Sequence, residues 1–415
     1  MTTVSPAPAK APTKKPRDLR LDFFRGLGMY IIFVAHMPGN PWTLWIPARF
    51  GASDATEIFV FCSGMASAIA FGSVFRDRSW WLGTARAAFR VWQVYWAHIA
   101  LFLVTVTLLV VMDRLEGSEN FYTNRLYVRP FFEDTASHLV ALMTLQYVPN
   151  YFDILPMYLV LLAMMPVVAG VGLYNRWLVF ALMAVVWLGA QFGFLHFGAE
   201  VRPGNDREWF FNPFGWQLVF FTGFSFMMGW IKAPPFRWWL VALSIAVLVF
   251  NFFVASRWGW QMSPLIYDFR DATWQLLNKT DQGLYRFTHF LALAYLAYVA
   301  AGEGGRRLAG TGVWAGFVKV VRKVGQQSLA VFLASMVLAQ LFGALLDVTG
   351  RNVLTIPLVN LCGFLVLTGV AYGTGWFKSQ PWRRAPQPVD SVRDERRQAE
   401  ALAMQPSGTG GGPPA

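Results

Sequence analysis

About ten apolar runs recur along the chain, each close to the length that a helix needs to cross a bilayer, and this repetition constrains the fold more than any motif. The runs lie near 21–38, 53–74, 88–111, 152–172, 177–196, 213–231, 238–256, 285–301, 326–346 and 353–375. Only 14% of the residues are charged, against about 25% in soluble domains. The sequence therefore predicts an all-α fold, a polytopic helix bundle in a membrane.

Three segments fall outside this pattern. The apolar piece 136–148 is too short to cross a bilayer, so we expect an interfacial or re-entrant helix. Residues 1–20 are rich in Pro, Ala and Lys, and residues 378–415 are similarly polar, which predicts two disordered tails around a membrane domain at 21–377. No apolar segment precedes the first run, so we expect no cleavable signal peptide.

The distribution of basic residues predicts the orientation of the bundle. An even number of spans places both termini on one side, and most of the 35 Lys and Arg residues then fall on that side. Because basic loops stay in the cytoplasm, we expect both termini there. The net charge of +12 is explained in this way and does not indicate a nucleic-acid partner.

Three loops are then left on the outer face, at about 112–135, 197–212 and 257–284. They are rich in aromatic residues, which stack on sugar rings but also mark every membrane interface. Arg202, Arg207 and Arg270 lie in these loops and are candidates to meet an anionic glycan.

The first run, LDFFRGLGMYIIFVAH, carries Arg25 near its start and His36 at its end. Eleven residues of helix separate them by about 16 Å, which places Arg25 near the cytoplasmic face and His36 near the outer face. Arg25 is either a snorkelling anchor or part of a site, and His36 is either a helix-end residue facing headgroups or a candidate general base.

The second run begins with Asp54 and Glu57, three residues apart and near the predicted depth of His36. Two carboxylates beside a histidine can orient its ring and stabilise its charged form. Asp54 alone is equally typical of a helix N-cap. Ser63 and Gly64 follow, and such small residues permit close approach of another helix or of a ligand.

Other charged residues fall at both ends of the predicted helices. Arg86 and Arg90 share one face at the cytoplasmic start of the third run, where they are either anchors or a phosphate site. Asp153, Arg286 and His289 lie near the outer ends of later runs and are candidates for the acceptor side. Asp153 is equally suited to capping its helix. We expect no metal.

Several blocks of the sequence resemble a known group of enzymes. RLDFFRGLGMYIIFVAH resembles the Arg-x10-His signature of the membrane acyltransferase-3 superfamily, and EIFVFCSG its second-span motif. A closer similarity is to the OpgC family of osmoregulated periplasmic glucan succinyltransferases, through FGASDATEIFVFCSG, YFDILPMYLVLL, FNPFGWQLVFFTGF, RFTHFLALAY and VGQQSLAVFLAS. One departure is SGMAS, where many superfamily members have an aromatic residue after Ser-Gly.

This resemblance implies an O-acyltransferase of the bacterial inner membrane that moves a succinyl group from cytoplasmic succinyl-CoA to glucose hydroxyls of periplasmic glucans. His36 would be the general base, with Glu57 or Asp54 orienting it. Arg25, Arg86 and Arg90 would bind the CoA phosphates, with Ser63 along the pantetheine arm. Direct transfer is expected, because no Ser or Cys is evidently paired with His36.

Two other functions stay open at the level of the sequence. An acetyltransferase of the same superfamily, acting on another glycan, would share the motifs of the first three runs. A glycan transporter or flippase would also have about ten spans and buried ionisable groups, although no inverted repeat is visible. The acyl group, the modified hydroxyl and the oligomeric state are not fixed by the sequence.

Overall fold

Helices make up nearly all of the regular structure in the computed structural model, which describes residues 18–117, 120–199 and 208–383. Within these ranges the one exception is an isolated antiparallel bridge between Gly198 and Glu208. Most of the two predicted tails, together with Arg202 and Arg207, lies outside the described residues. The chain up to Tyr372 forms one structural unit, which holds every residue of the candidate site, and the chain from Gly373 belongs to a second unit.

All but one of the principal helices follow the apolar segments of the sequence, and the exception is the helix at Gly312–Gln326. In chain order they are α1 (Leu19–His36), α2 (Ala55–Ser67), α3 (Trp80–Glu116), α4 (Thr135–Met143), α5 (Ile154–Tyr174), α6 (Arg176–Gln191), α7 (Pro213–Met228), α8 (Trp238–Ala255), α9 (Leu284–Ala301), α10 (Gly312–Gln326), α11 (Ser328–Thr349) and α12 (Thr355–Ser379). A π-helical turn at Ala68–Gly72 and a last turn at Ser73–Asp77 extend α2. Shorter helices lie at Phe121–Arg125, Arg129–Glu133, Arg257–Trp260, Pro264–Ala272 and Trp274–Leu277, and 3₁₀ turns at Pro41–Trp45, Pro47–Arg49 and Glu303–Leu308.

Seven helices of the described residues are long and apolar enough to cross a membrane: the continuous stretch Ala55–Asp77, and α3, α5, α8, α9, α11 and α12. The multi-pass membrane architecture predicted from the sequence is therefore confirmed. The other three predicted spans correspond to α1, α6 and α7. Of these, α6 and α7 have 16 residues each, and α1 carries three charged residues, Arg20, Asp22 and Arg25, among its 18. The count of ten spans and the side of the termini stay predictions.

The segment predicted to be interfacial or re-entrant, 136–148, overlaps α4, which has nine residues. A helix of that size is about 14 Å long, roughly half the thickness of the hydrocarbon core. The structure therefore contains a short helix where the sequence predicted one, and its depth in the membrane stays a prediction.

Glycines set the distances between α2 and α7 and between α1 and α10. A Cβ atom at Gly64 would lie 1.9 Å from the Phe220 carbonyl oxygen of α7, and one at Gly26 would lie 1.9 Å from the Val321 carbonyl oxygen of α10. Only glycine permits such backbone contact. Gly64 is thus a helix-packing residue, whereas its neighbour Ser63 faces a cavity.

Candidate active site

Two cavities lie along the faces of α1, α2, α5 and α11. The first, which we call the His36 cavity, has a volume of about 320 Å³, and its lining includes His36, Thr56, Tyr151, Asp153 and Lys279. The second, the Arg25 cavity, has a volume of about 390 Å³. Each of the four helices contributes side chains to both cavities.

The hydrogen bond of His36 determines which ring nitrogen can act as a base. Its Nδ1 lies 2.8 Å from the Ile32 carbonyl oxygen, one turn earlier in α1. Because a carbonyl oxygen only accepts hydrogen bonds, Nδ1 must carry the proton and donate it. In the neutral ring Nε2 then keeps its lone pair. The ring also contacts Tyr151 edge to face, with the ring centroids 4.8 Å apart. His36 is therefore held in the tautomer that a general base needs.

Asp54 and Glu57 form a capping box at the start of α2. The Asp54 carboxylate accepts a hydrogen bond of 2.7 Å from the Thr56 backbone N–H, and Glu57 accepts one of 2.8 Å from the Asp54 backbone N–H. Such a box fixes where a helix begins. The N-cap interpretation of Asp54 is confirmed, and Glu57 shares this structural role.

The same two carboxylates belong to a buried charge cluster with Arg286 and Lys279. Glu57 is fully buried and accepts hydrogen bonds of 2.6 and 3.0 Å from Arg286. Asp54 accepts a hydrogen bond of 2.5 Å from Lys279, and its carboxylate lies 3.7 Å from Arg286. Two anions thus face two cations, which offsets the cost of burying Glu57 and Arg286, while Asp54 and Lys279 are partly exposed. Because these hydrogen bonds go to Arg286, Lys279 and the backbone, orientation of His36 by Glu57 or Asp54 stays a prediction.

His289 contacts the loop that precedes α2. The Ser53 backbone N–H donates a hydrogen bond of 3.2 Å to Nδ1 of His289, so this nitrogen is an acceptor, and the Ser53 hydroxyl lies 2.7 Å from it. Arg286 lies one turn earlier on α9. Together they attach α9 to the start of α2 from behind the His36 cavity. Asp153, the third candidate for the acceptor side, lines that cavity itself.

All four residues predicted to bind the acyl-CoA line the Arg25 cavity, although they come from three different helices. They are Arg25, Ser63, Arg86 and Arg90. Arg25 is 7% exposed, and its Nη2 donates a hydrogen bond of 2.6 Å to the Cys62 carbonyl oxygen. Its Nε has no hydrogen-bond partner within the described residues. Three guanidinium groups at one cavity, one of them buried with an unused donor, form a site suited to phosphate.

The π-helical turn after α2 shapes one wall of the Arg25 cavity. Ala70 and Phe71 of this turn line the cavity, and the Arg86 guanidinium lies over the Phe71 ring, 5.6 Å from its centroid. Turns of this kind are frequent at functional sites, because they change the direction of side chains within a helix. The contact holds Arg86 against the cavity wall.

The sequence analysis missed Lys279 and Tyr151. Lys279 lies in a loop predicted to face outward. Because few Lys and Arg residues are expected in such loops, its position there was the available signal. Tyr151 has a positive φ of 73°, a conformation that a bulky residue adopts at a cost and that is often found near functional sites. Both side chains line the His36 cavity.

A membrane helix bundle with a histidine in one cavity and clustered arginines in the next has the layout of an enzyme that takes a phosphate-bearing donor. A family model described as OpgC protein matches residues 17–379, and the chain therefore belongs to the OpgC family. This confirms the resemblance drawn from the sequence blocks, and it indicates an acyltransferase acting at a membrane. Neither the curated proteins nor the solved structures contain a match to the chain.

Proposed function

We propose that the protein transfers a succinyl group from succinyl-CoA to glucose hydroxyls of an osmoregulated periplasmic glucan. The observation that carries this proposal is the pairing of the two cavities along the same four helices. One cavity has three arginines for a phosphate-bearing donor, and the other has a histidine with an unprotonated Nε2 for the acceptor hydroxyl. Membership of the OpgC family supports the choice of glucan and of succinate.

The donor occupies the Arg25 cavity in this proposal. Arg25, Arg86 and Arg90 contact the phosphates of succinyl-CoA, since guanidinium groups bind phosphate oxygens in a bidentate manner. Ser63 then lies along the pantetheine arm. The basic residues predicted to face the cytoplasm favour entry of the donor from that side of the bacterial inner membrane.

The chemical step takes place in the His36 cavity. Nε2 of His36 removes the proton of the sugar hydroxyl while the hydroxyl oxygen attacks the thioester carbonyl carbon. A tetrahedral intermediate forms, the C–S bond breaks, and the imidazolium returns the proton to the departing thiolate. The products are the succinyl ester of the glucan and free CoA. No covalent acyl-enzyme is required.

Lys279 supplies the positive charge for this step. Its ammonium group lines the His36 cavity and is held by Asp54 at 2.5 Å. A preorganised cation beside the developing oxyanion lowers the barrier to acyl transfer. In this role Asp54 and Glu57 act behind the cavity, by fixing Lys279 and Arg286.

The proposal is tested by reconstituting the protein with succinyl-CoA and a periplasmic glucan extract, and by following CoA release and glucan mass together. We expect the wild type to add succinyl units and His36→Ala to add none. His196→Ala is the matched control, because His196 is exposed and lines neither cavity, and it should retain activity. If the protein instead transferred an acetyl group from acetyl-CoA, it would be an acetyltransferase of the same superfamily. Glucan transport without CoA release would favour a transporter.

A further inference from the structure

The boundary between the two cavities is only one layer of side chains thick. On α2, Thr56 lines the His36 cavity and Phe59, three residues on, lines the Arg25 cavity. On α11, Leu329 lines the Arg25 cavity and Phe332 lines the His36 cavity. The lining therefore changes from one cavity to the other within about one helical turn, or roughly 5 Å, on both helices.

Two phenylalanine rings lie in this layer. Phe59 and Phe332 stack with their ring centroids 5.5 Å apart and an interplanar angle of 20°. They are 5% and 1% exposed, respectively. Each ring therefore has one cavity on one side and its partner ring on the other. We call these two residues the phenylalanine pair.

The proposed chemistry requires the donor to pass this layer. The phosphates bind at Arg25, Arg86 and Arg90, whereas the base is His36, about 16 Å along α1 from Arg25. Because the thioester carbon must reach His36, the acyl arm cannot stay within the Arg25 cavity. The side chains between the cavities must then separate to admit it.

We propose that the phenylalanine pair is the gate through which the acyl-thioester arm reaches His36, and that it closes the passage when no arm is present. The identity of the arm rests on the proposed function. The position of the closure does not, because it follows from the residues that line the two cavities. Two apolar rings contain no group that can hydrate a crossing ion or water. The closed pair thus separates the cavity predicted to face the cytoplasm from the outer one.

A test of the closure needs no substrate. Thr56→Cys, in a background with Cys62→Ser and Cys362→Ser, places one thiol in the His36 cavity. A charged, membrane-impermeant methanethiosulfonate reagent is added to sealed vesicles on the side of the Arg25 cavity, and the labelling rate is measured. With the pair intact we expect slow labelling. Phe332→Ala or Phe59→Ala should accelerate it about tenfold, which corresponds to about 1.4 kcal/mol in the barrier.

Two controls keep this result specific. Phe332→Leu retains an apolar side chain in the layer and should label slowly. Phe89→Ala removes a ring of the same size from the Arg25 cavity, away from the boundary, and should also label slowly. Labelling from the opposite side reports whether each variant is folded, and it should be equal in all of them. If the labelling rate from the side of the Arg25 cavity were the same with the intact phenylalanine pair and in both alanine variants, the pair would not be a gate.

Activity gives a second and separate readout. Opening the gate should let water reach the thioester, so we expect Phe332→Ala to hydrolyse succinyl-CoA in the absence of glucan faster than the wild type does. If the wild type transfers no acyl group, the proposed function fails while the labelling result stands. If the wild type transfers normally and the alanine variants change neither labelling nor hydrolysis, the gate alone fails.

Discussion

The ion pair between Arg286 and Glu57 gives the sharpest test of how the site is held together. Arg286→Met would leave the fully buried Glu57 carboxylate without its two hydrogen bonds of 2.6 and 3.0 Å. Among the described residues, the Asp54 backbone N–H would then be its one remaining donor. Removing one partner of a buried pair costs about 3–5 kcal/mol, because the remaining charge is uncompensated. We expect a loss of that size in the free energy of unfolding.

The assay is chemical unfolding of the purified protein in detergent, followed by tryptophan fluorescence. The double variant Glu57→Gln/Arg286→Met removes both charges and should recover most of the loss, since replacing both partners is often nearly neutral. The matched control is Arg76→Met, which breaks the Arg76–Asp77 pair, whose side chains are 57% and 56% exposed. That control should leave the stability nearly unchanged. If Arg286→Met were no more destabilising than Arg76→Met, the buried pair would not hold α9 to α2.

Two further variants test the chemistry and the packing. Lys279→Met should lower kcat by about a hundredfold with little change in the KM for the donor, because it removes the cation that lines the His36 cavity. The control is Lys319→Met on an exposed face of α10, which should leave both constants unchanged. Gly64→Ala would place a Cβ atom 1.9 Å from the Phe220 carbonyl oxygen and force α2 away from α7. We expect the free energy of unfolding to fall by about 1–3 kcal/mol in the same assay. Gly369→Ala has nothing within 4 Å of the new Cβ and should be close to neutral.

His289 and Arg286 show how α9 controls the position of α2 without lining the His36 cavity. His289 accepts a hydrogen bond from the Ser53 backbone, and Arg286 pairs with Glu57 in the first turn of α2. The start of α2 is thus held by two residues of α9 that are three apart and share one face of that helix. Ionisable residues in the first turns of α9 can therefore position α2, although they do not line the His36 cavity.

Local features of the site were predictable because they depend on residues close in sequence. Arg25 and His36 lie on one helix, which the spacing alone places about 16 Å apart. Arg86 and Arg90 share a face for the same reason, and Asp54 caps α2 because it is a short acidic residue directly before an apolar run. The multi-pass helical fold followed from the length of the apolar runs.

The partners across the bundle were not predictable in this way. Glu57 pairs with Arg286, 229 residues away, and Asp54 with Lys279, 225 residues away. Phe59 stacks on Phe332, from a helix near the other end of the chain. The helical period of 3.6 residues predicts which side chains share a face of a helix, but it does not predict which other helix that face contacts.

The sequence by itself thus determined most of the helices, their approximate ends and the candidate groups on each, although it did not predict α10. Only the tertiary structure decided that Arg25, Ser63, Arg86 and Arg90 line one cavity and that His36 lines another. It also decided that Glu57 pairs with Arg286 and Asp54 with Lys279, while their orientation of His36 stays a prediction. The physical reason is that burial of a charge demands an opposite charge nearby, and the packing of distant helices selects which one is there.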